Sequence, residues 1–453
     1  MIKHLEEGLF RLCSELIQND EEFKNTSVNK NFNNVDNNLF REYRNFRFKK
    51  MIEYAYNNSR FYKKLFDENN INSADIKSIS DIDKIPFTYP EDIKVNSYDF
   101  LCLSQGQVEK PVTFYSGGTT GLQKRIYFSN NDIKNIMKFL SVGMNTVVGM
   151  DGTVQIILQN SQGRGTGAIL AQALTNMGMN AYATDVLAES SEQIKITEEK
   201  KPDVWFGDSR VIYRITKEME NKVDLSSLEV KTLFLTVHLP SQVMVDYLKK
   251  VWNCEISTHY GLTEMGWGLA VDCDSKSGLH YNELSVIAEV IDPLTGEVIS
   301  DGSEGELVFT SIGFEAMPLI RYRSRDITSI SNEKCICGHN LQTLNPVQKR
   351  LESIIVLPDG SNIYPTMFDD ILFSFDEVVD YNIYIDYNGN LPKLIFKIEV
   401  LGQHEGLETS IADAIYTIPA ISRNMQRPEI QLLLNGALKE FANQKKLIKE
   451  MEY

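Results

Sequence analysis

From residue 1 to about 110 the chain alternates charged and aromatic positions at helical spacing, as in FRFKKMIEYAYNNSRFYKKLF (46–66). Apolar residues recurring every three to four positions predict helices, so a helical opening is expected, broken at the proline-marked KIPFTYPEDI (84–93). From about 111 to 345 the period changes. Short β-branched and aromatic runs (VTFYS, VQIILQ, VWFGD, KTLFLTV) alternate with helical patterns such as TGAILAQALTNMGM and PSQVMVDYLKKVW. That alternation predicts parallel α/β layers. After Arg350 come SIIVLPDGSNIYP, YNIYIDY and KLIFKIEV, then a helical segment and a lysine-rich end, the pattern of a small α+β domain. The fold class expected is therefore α/β, with a large multi-layer N-terminal domain over 1–349 and a small C-terminal domain over 350–453. No internal repeat is visible, and the Asn/Lys-rich KNTSVNKNFNNVDNN (24–38) reads as a solvated loop.

Bulk properties narrow the function classes. A length of 453 residues exceeds one ordinary core and implies two or more domains. The formal charge of −16, from 46 basic and 62 acidic residues, argues against nucleic acid or an anionic membrane as partner. An anionic substrate must then be met by local charges. The first residues place acids inside their apolar stretch, unlike a secretory signal, and no later run reaches transmembrane length. A cytoplasmic, reducing compartment is the expectation, in which the six cysteines serve as core residues or metal ligands rather than disulfides.

The strongest single motif is Tyr115-Ser116-Gly117-Gly118-Thr119-Thr120-Gly121-Leu122-Gln123-Lys124, directly after a strand-like run. Glycines let a backbone approach an anion closely, Ser and Thr hydroxyls donate to phosphoryl oxygens, and lysine adds a point charge. The spacing is neither G-x-x-x-x-G-K-[ST] nor G-x-G-x-x-G, so the P-loop and dinucleotide classes lose support. Standing alone, such a stretch also reads as a plain turn. A second constellation, Cys273 and His280 with Cys335 and Cys337, supplies three thiolates and an imidazole, the softness and count of a closed tetrahedral Zn²⁺ site. Buried free cysteines are the alternative, and His339 is a competing ligand.

The loop, with Thr258-His259-Tyr260-Gly261-Leu262-Thr263-Glu264, GLHYNEL, EVIDPLTGEVISDGSEGELVFTS, MPLIRYRSRD and CICG in that order, resembles the acyl-activating, adenylate-forming superfamily, and within it the phenylacetate-CoA ligase branch. The ordered set runs along nearly the whole chain. The resemblance implies ATP, Mg²⁺ and coenzyme A as cofactors, and a small carboxylic acid, aryl or short acyl, as substrate. It implies that Ser116, Gly117, Gly118, Thr119, Thr120, Gly121 and Lys124 hold phosphates. His259, Tyr260 and Gly261 would border the nucleotide, Thr263 meet the α-phosphate, and Glu264 hold Mg²⁺. A carboxylate is what a hard cation bridging polyphosphate oxygens prefers, whereas a lone Glu264 also reads as a helix-cap acid.

The same resemblance makes Asp326 the acceptor for both ribose hydroxyls, although Ser324-Arg325 stands where the family usually has T-G. Arg321 and Arg323 also fit plain surface salt bridges. Lys349-Arg350-Leu351-Glu352-Ser353 takes the place of G-R-x-D-D, so Arg350 would contact nucleotide and Glu352 would be the hinge, near 350–353, of a mobile small domain. Lys445 is the candidate for the C-terminal adenylation lysine, because aligning KKLI with the family's KRVI puts Asn443 at the usual position. A solvated basic segment is the bland reading there. In the acyl-pocket segments, His238 replaces the acid of a G-A-E-like motif and reads equally as a core histidine, while Arg164 faces a second substrate carboxylate or solvent. The branch often carries the same Cys, G-L-H and C-x-C-G order, which implies a structural zinc, and a homodimer is implied as well. The reaction expected is acid–thiol ligation through an acyl adenylate. The rivals are transfer to a carrier-protein thiol or an amine, AMP transfer to a phenolic cofactor, or noncatalytic nucleotide binding.

Overall fold

The computed structural model describes residues 5–26, 31–32, 34–115, 123–149, 151–160, 165–402, 405–434, 436–438 and 447–451. The chain forms two compact units, one built from Met1–Gly149 with His259–Pro346 and the other from Met150–Thr258 with Val347–Tyr453. Among the described residues no helix is long and apolar enough to cross a membrane.

The first unit opens with the expected helices. Asn37–Asn58 and Arg60–Glu68 are separated at Ser59, whose hydroxyl accepts from the Tyr62 amide and so starts the second helix where the first one ends. Both helices bury one aromatic face, with Phe48, Ile52, Tyr62 and Phe66 fully enclosed. An antiparallel hairpin follows, Val108–Tyr115 against Gln123–Ser129. Ser129 and Asp132 form a reciprocal capping box that launches the helix Asn130–Val147. After the chain returns at His259, strands Val286–Ile291, Gly305–Ser311 and Tyr322–Thr328 make an antiparallel ladder over the same core.

The second unit bears out the parallel α/β reading over residues 153–258, whereas residues 112–115 of VTFYS lie in the antiparallel hairpin of the first unit and the strands over 286–328 are antiparallel as well. Asn180–Thr184, Thr153–Ile157, Val204–Asp208, Thr232–Thr236 and Glu255–Thr258 lie side by side, all parallel. Helices between successive strands provide the crossovers, and the strands are apolar because both faces are covered. The C-terminal part is α+β, as expected: the hairpin Val378–Asp386 and Lys393–Val400 is flanked by Glu429–Leu433 and Ile448–Glu450, with helices Leu407–Tyr416 and Pro419–Asn424. Its core is continuous with that of the parallel sheet, through Ile212, Leu248, Phe368, Ile383 and Ile411.

A buried ionic cluster crosses this core. From the helix Ser209–Met219, Arg210 pairs with Asp369 at 2.8 Å and Asp380 at 2.9 Å, and Arg214 pairs with Glu399. None of the pattern in SRVIYRITKEM announced it. An amphipathic helix ordinarily turns its charges to water, whereas here the guanidiniums point inward and are kept there by three carboxylates.

Candidate active site

In the first unit the hairpin strand Gln123–Ser129 carries Lys124 inward, and the side chain is buried. Its partner comes from a sharp turn after the strand Glu255–Tyr260. A Cβ on Gly261 would lie 1.7 Å from the Trp267 carbonyl oxygen, so only glycine lets the chain fold back on itself here. The Met265 and Trp267 amides both donate to the Leu262 carbonyl. Gly266 and Trp267 take φ of +77° and +63°. The turn presents Glu264 to the interior. Lys124 Nζ donates to Glu264 Oε1 at 2.5 Å and to the Tyr322 hydroxyl at 3.0 Å, and that hydroxyl donates to Glu264 Oε1 at 2.7 Å. Burial, with the Glu264 charge behind it, pushes the Tyr322 phenol well above its ordinary range, so it remains a donor.

The neighbouring strand Tyr322–Thr328 carries Asp326. Its pairing with Gly305–Ser311 slips: Val308 faces Arg323, but Glu306 faces Ile327, so Ser324, Arg325 and Asp326 bulge opposite Leu307 alone. Arg325 adopts φ +67°, which a glycine would take without steric cost. The Ser324 hydroxyl donates to the Leu307 carbonyl and accepts from the Asp326 amide, fixing the bulge. The Tyr260 hydroxyl donates to Asp326 Oδ2 at 2.5 Å. Thr263 is half-buried at the start of the Glu264 turn. His259, one residue before Tyr260, is held by burial to a pKa of about 4 and is neutral at ordinary pH.

The surface alternative for Arg321 and Arg323 is overturned. Both are buried; Arg321 grips Glu289 at 2.9 Å and the Ile85 carbonyl, and Arg323 binds Glu306. The strand is enclosed on both sides, so its arginines reach internal carboxylates rather than solvent. The helix-cap alternative for Glu264 also falls, because its carboxylate is engaged by Lys124 and Tyr322.

The cysteine constellation converges in the same unit. Antiparallel pairing sets His280 between Val271 and Thr343, and Cys273 follows just after Asp272. A turn with Gly338 at φ +96° brings Cys335 and Cys337 round. One donor atom from each of Cys273, His280, Cys335 and Cys337 lies within 4.8 Å of the others, which suits a tetrahedral thiolate–imidazole site. The ring of the competing His339 lies 4.8 Å from that of His280, centroid to centroid, and is tilted 50° to it.

In the second unit His238 Nδ1 lies 3.0 Å from Asp208 Oδ1, and Val237 beside it takes φ +67°. A strained β-branched residue at the carboxyl end of a parallel strand sits where α/β sheets keep their ligands. Arg350 and Glu352 also belong to this unit, at Lys349–Arg350 and the turn Leu351–Ser353. Ser116, Gly117, Gly118, Thr119, Thr120, Gly121, Arg164, Asn443 and Lys445 lie outside the described residues. Sequence reasoning missed Tyr322 and Asp208. Both stood inside the motifs RYRSRD and VWFGD, where no local signal marks which side chain turns into the site.

Among known proteins, a phenylacetate-coenzyme A ligase of Thermus thermophilus is 27% identical over 395 residues, covering 84% of this chain and 87% of that protein. One from Aromatoleum evansii is 27% identical over 379 residues, covering 81% and 84%. A 2-hydroxyisobutyryl-CoA ligase in the postadenylation state, solved in complex with R3-HIB-AMP, superimposes with a TM-score of 0.75 at 18% identity, over 88% of this chain and 87% of that one, and shows a shared fold. The family model of the AMP-binding enzymes matches residues 71–314, a span that holds the Lys124–Glu264 pair and more than half of the sequence: the chain belongs to the AMP-binding enzyme family, on its phenylacetate-CoA ligase-like branch.

Proposed function

We propose that this chain is an AMP-forming acid–thiol ligase, which uses ATP to adenylate a small carboxylic acid, aryl or short acyl, and passes the acyl group to coenzyme A. The observation that carries the reading is the buried meeting of a lysine and a carboxylate on a turn that only glycine permits, beside an aspartate raised on a bulge. The substrate carboxylate attacks the α-phosphate of ATP, pyrophosphate leaves, and the thiol then displaces AMP from the mixed anhydride. Lys124 and the 116–121 loop offer positive charge and hydroxyls to phosphoryl oxygens, Thr263 meets the α-phosphate, His259 and Tyr260 border the base, and Asp326 accepts from the ribose. Glu264 would hold Mg²⁺, which supplies positive charge where negative charge develops on the departing pyrophosphate.

Arg350 contacts nucleotide and Lys445 neutralises charge during adenylation in this reading. The small domain, 350–453, swings about Glu352 between the half-reactions. That movement must part Arg210 and Arg214 from Asp369, Asp380 and Glu399. Cys273, His280, Cys335 and Cys337 would hold a structural Zn²⁺ through three thiolates and an imidazole. A cytoplasmic homodimer completes the proposal. The test is pyrophosphate release from ATP and Mg²⁺ against a panel of aryl, alkyl and amino acids, each with and without coenzyme A. Release yielding an acyl-CoA supports the ligase. Release without any dependence on coenzyme A would point to a carrier-protein thiol, an amine or a phenolic acceptor, and tight ATP binding without release to a noncatalytic protein.

A further inference from the structure

We infer that Tyr322 is a positioning residue of the metal–triphosphate site, holding Glu264 in place when Lys124 turns from that carboxylate to phosphate. The inference rests on the ligase reading above and assigns a role to a residue which that reading leaves out.

In the structure Lys124 and Tyr322 both donate to the same oxygen, Oε1 of Glu264. Glu264 and Lys124 side chains keep 5% and 7% of their exposure, and Tyr322 is fully enclosed. Bulk water therefore cannot orient the carboxylate. A divalent cation on Glu264 puts like charge next to the lysine ammonium. Like charges a few ångströms apart repel strongly in surroundings that water does not screen. The ammonium must then leave, and triphosphate oxygens are where it can go. A phenol carries no charge and meets no such repulsion. It can keep its 2.7 Å bond to Glu264 in both states and compensate the oxygen that Lys124 gives up.

The backbone at Tyr322 is held from both sides. Tyr322 pairs with Phe309 on one side; on the other, the Thr88 amide donates to the Arg321 carbonyl and the Arg323 amide to the Thr88 carbonyl. Arg321 has φ +48°, a strained value for a side chain of this size. It is held there by Glu289, the Ile85 and Asp83 carbonyls, and the Phe87 ring 4.1 Å below the guanidinium. Neighbours that grip Arg321 this tightly fix the direction from which the next side chain leaves the strand.

The test is Tyr322→Phe, which keeps the ring and removes the hydroxyl. Pyrophosphate release is titrated with Mg²⁺, and the thermal shift given by ATP is compared with and without Mg²⁺. The variant is expected to need about tenfold more Mg²⁺ for half-maximal rate, the loss of one bond to a charged group, with an unchanged KM for the acid. The Mg²⁺-dependent part of its thermal shift should shrink. Equal Mg²⁺ dependence in wild type and variant would overturn the role and leave the ligase reading standing. A wild type showing neither release nor a Mg²⁺-dependent shift would remove both. Should Tyr322→Phe not fold, Lys124→Met decides: a raised KM for ATP with wild-type Mg²⁺ dependence supports the hand-off, and a Mg²⁺ requirement raised as steeply as the ATP one assigns the orienting role to Lys124 instead.

Discussion

Tyr260 and Asp326, 66 residues apart, are joined by a 2.5 Å hydrogen bond from phenol to Oδ2. The bond aims a buried carboxylate that would also have to accept the ribose hydroxyls. Asp326→Ala is expected to raise the KM for ATP by about 10- to 100-fold, the loss of charge-assisted bonds, while Tyr260→Phe, which loses only the orienting donor, raises it less. Initial rates of pyrophosphate release against ATP concentration check the order. Equal effects in the two variants would contradict it.

Glu264→Gln keeps shape but removes the charge. Lys124 would then be buried without its counterion, and removing one partner of a buried pair costs about 3–5 kcal/mol. Two readouts should move together: a lower midpoint in denaturant melts, and a kcat reduced by about 100-fold or more because the charge on departing pyrophosphate is no longer balanced. A variant that melts early but turns over normally would confine Glu264 to the fold.

The thiolate–imidazole constellation predicts about one equivalent of zinc per chain by elemental analysis, a closed site needing a single ion. Cys335→Ser should lose the metal and lower the melting temperature. Strong chelators should do the same to the wild type. Full occupancy retained in Cys335→Ser would reject this ligand set.

Glu399 takes both terminal nitrogens of Arg214 in the buried cluster. Glu399→Gln should destabilise the protein by about 3–5 kcal/mol, since Arg214 would keep its charge in an enclosed site. Urea titration of the variant measures this. A change below about 1 kcal/mol would mean that water reaches the cluster.

Burial lowers the pKa of His259 to about 4, from an ordinary value near 6.5. The unfolded chain then binds the proton more readily, so this contribution to stability is fully present above about pH 6.5 and is lost as pH falls toward 4. His259→Gln should flatten that part of the stability–pH curve. An unchanged slope between pH 6.5 and 4 in the variant would assign the acid sensitivity to other groups.

Much of the architecture was legible because short-range periodicity survives folding. The helical opening, the parallel α/β run over 153–258 and the α+β ending each follow from the spacing of apolar side chains, whereas the antiparallel pairing over 108–129 and 286–328 does not. Lys124 and Glu264 were legible for another reason: glycine-rich turns constrain the residues beside them, and ordered motifs name the chemistry. The inward turn of Arg210, Arg214, Arg321 and Arg323 was not legible. A charged residue on a strand or helix carries no local mark of whether water or a carboxylate far along the chain will meet it.

By itself, then, the sequence determined which segments favour helix or strand, where a turn needs glycine, and which residue types it offers to the proposed phosphate, ribose and metal contacts. Only the tertiary structure decided that the chain passes from one unit to the other after Gly149, returns at His259 and leaves again after Pro346. It alone set Tyr322 between Lys124 and Glu264, and lifted Asp326 on a bulge. The physical reason is range. Propensity and turn strain act within a few residues, whereas burial and charge pairing are settled between segments tens to hundreds of residues apart, whose meeting no local pattern records.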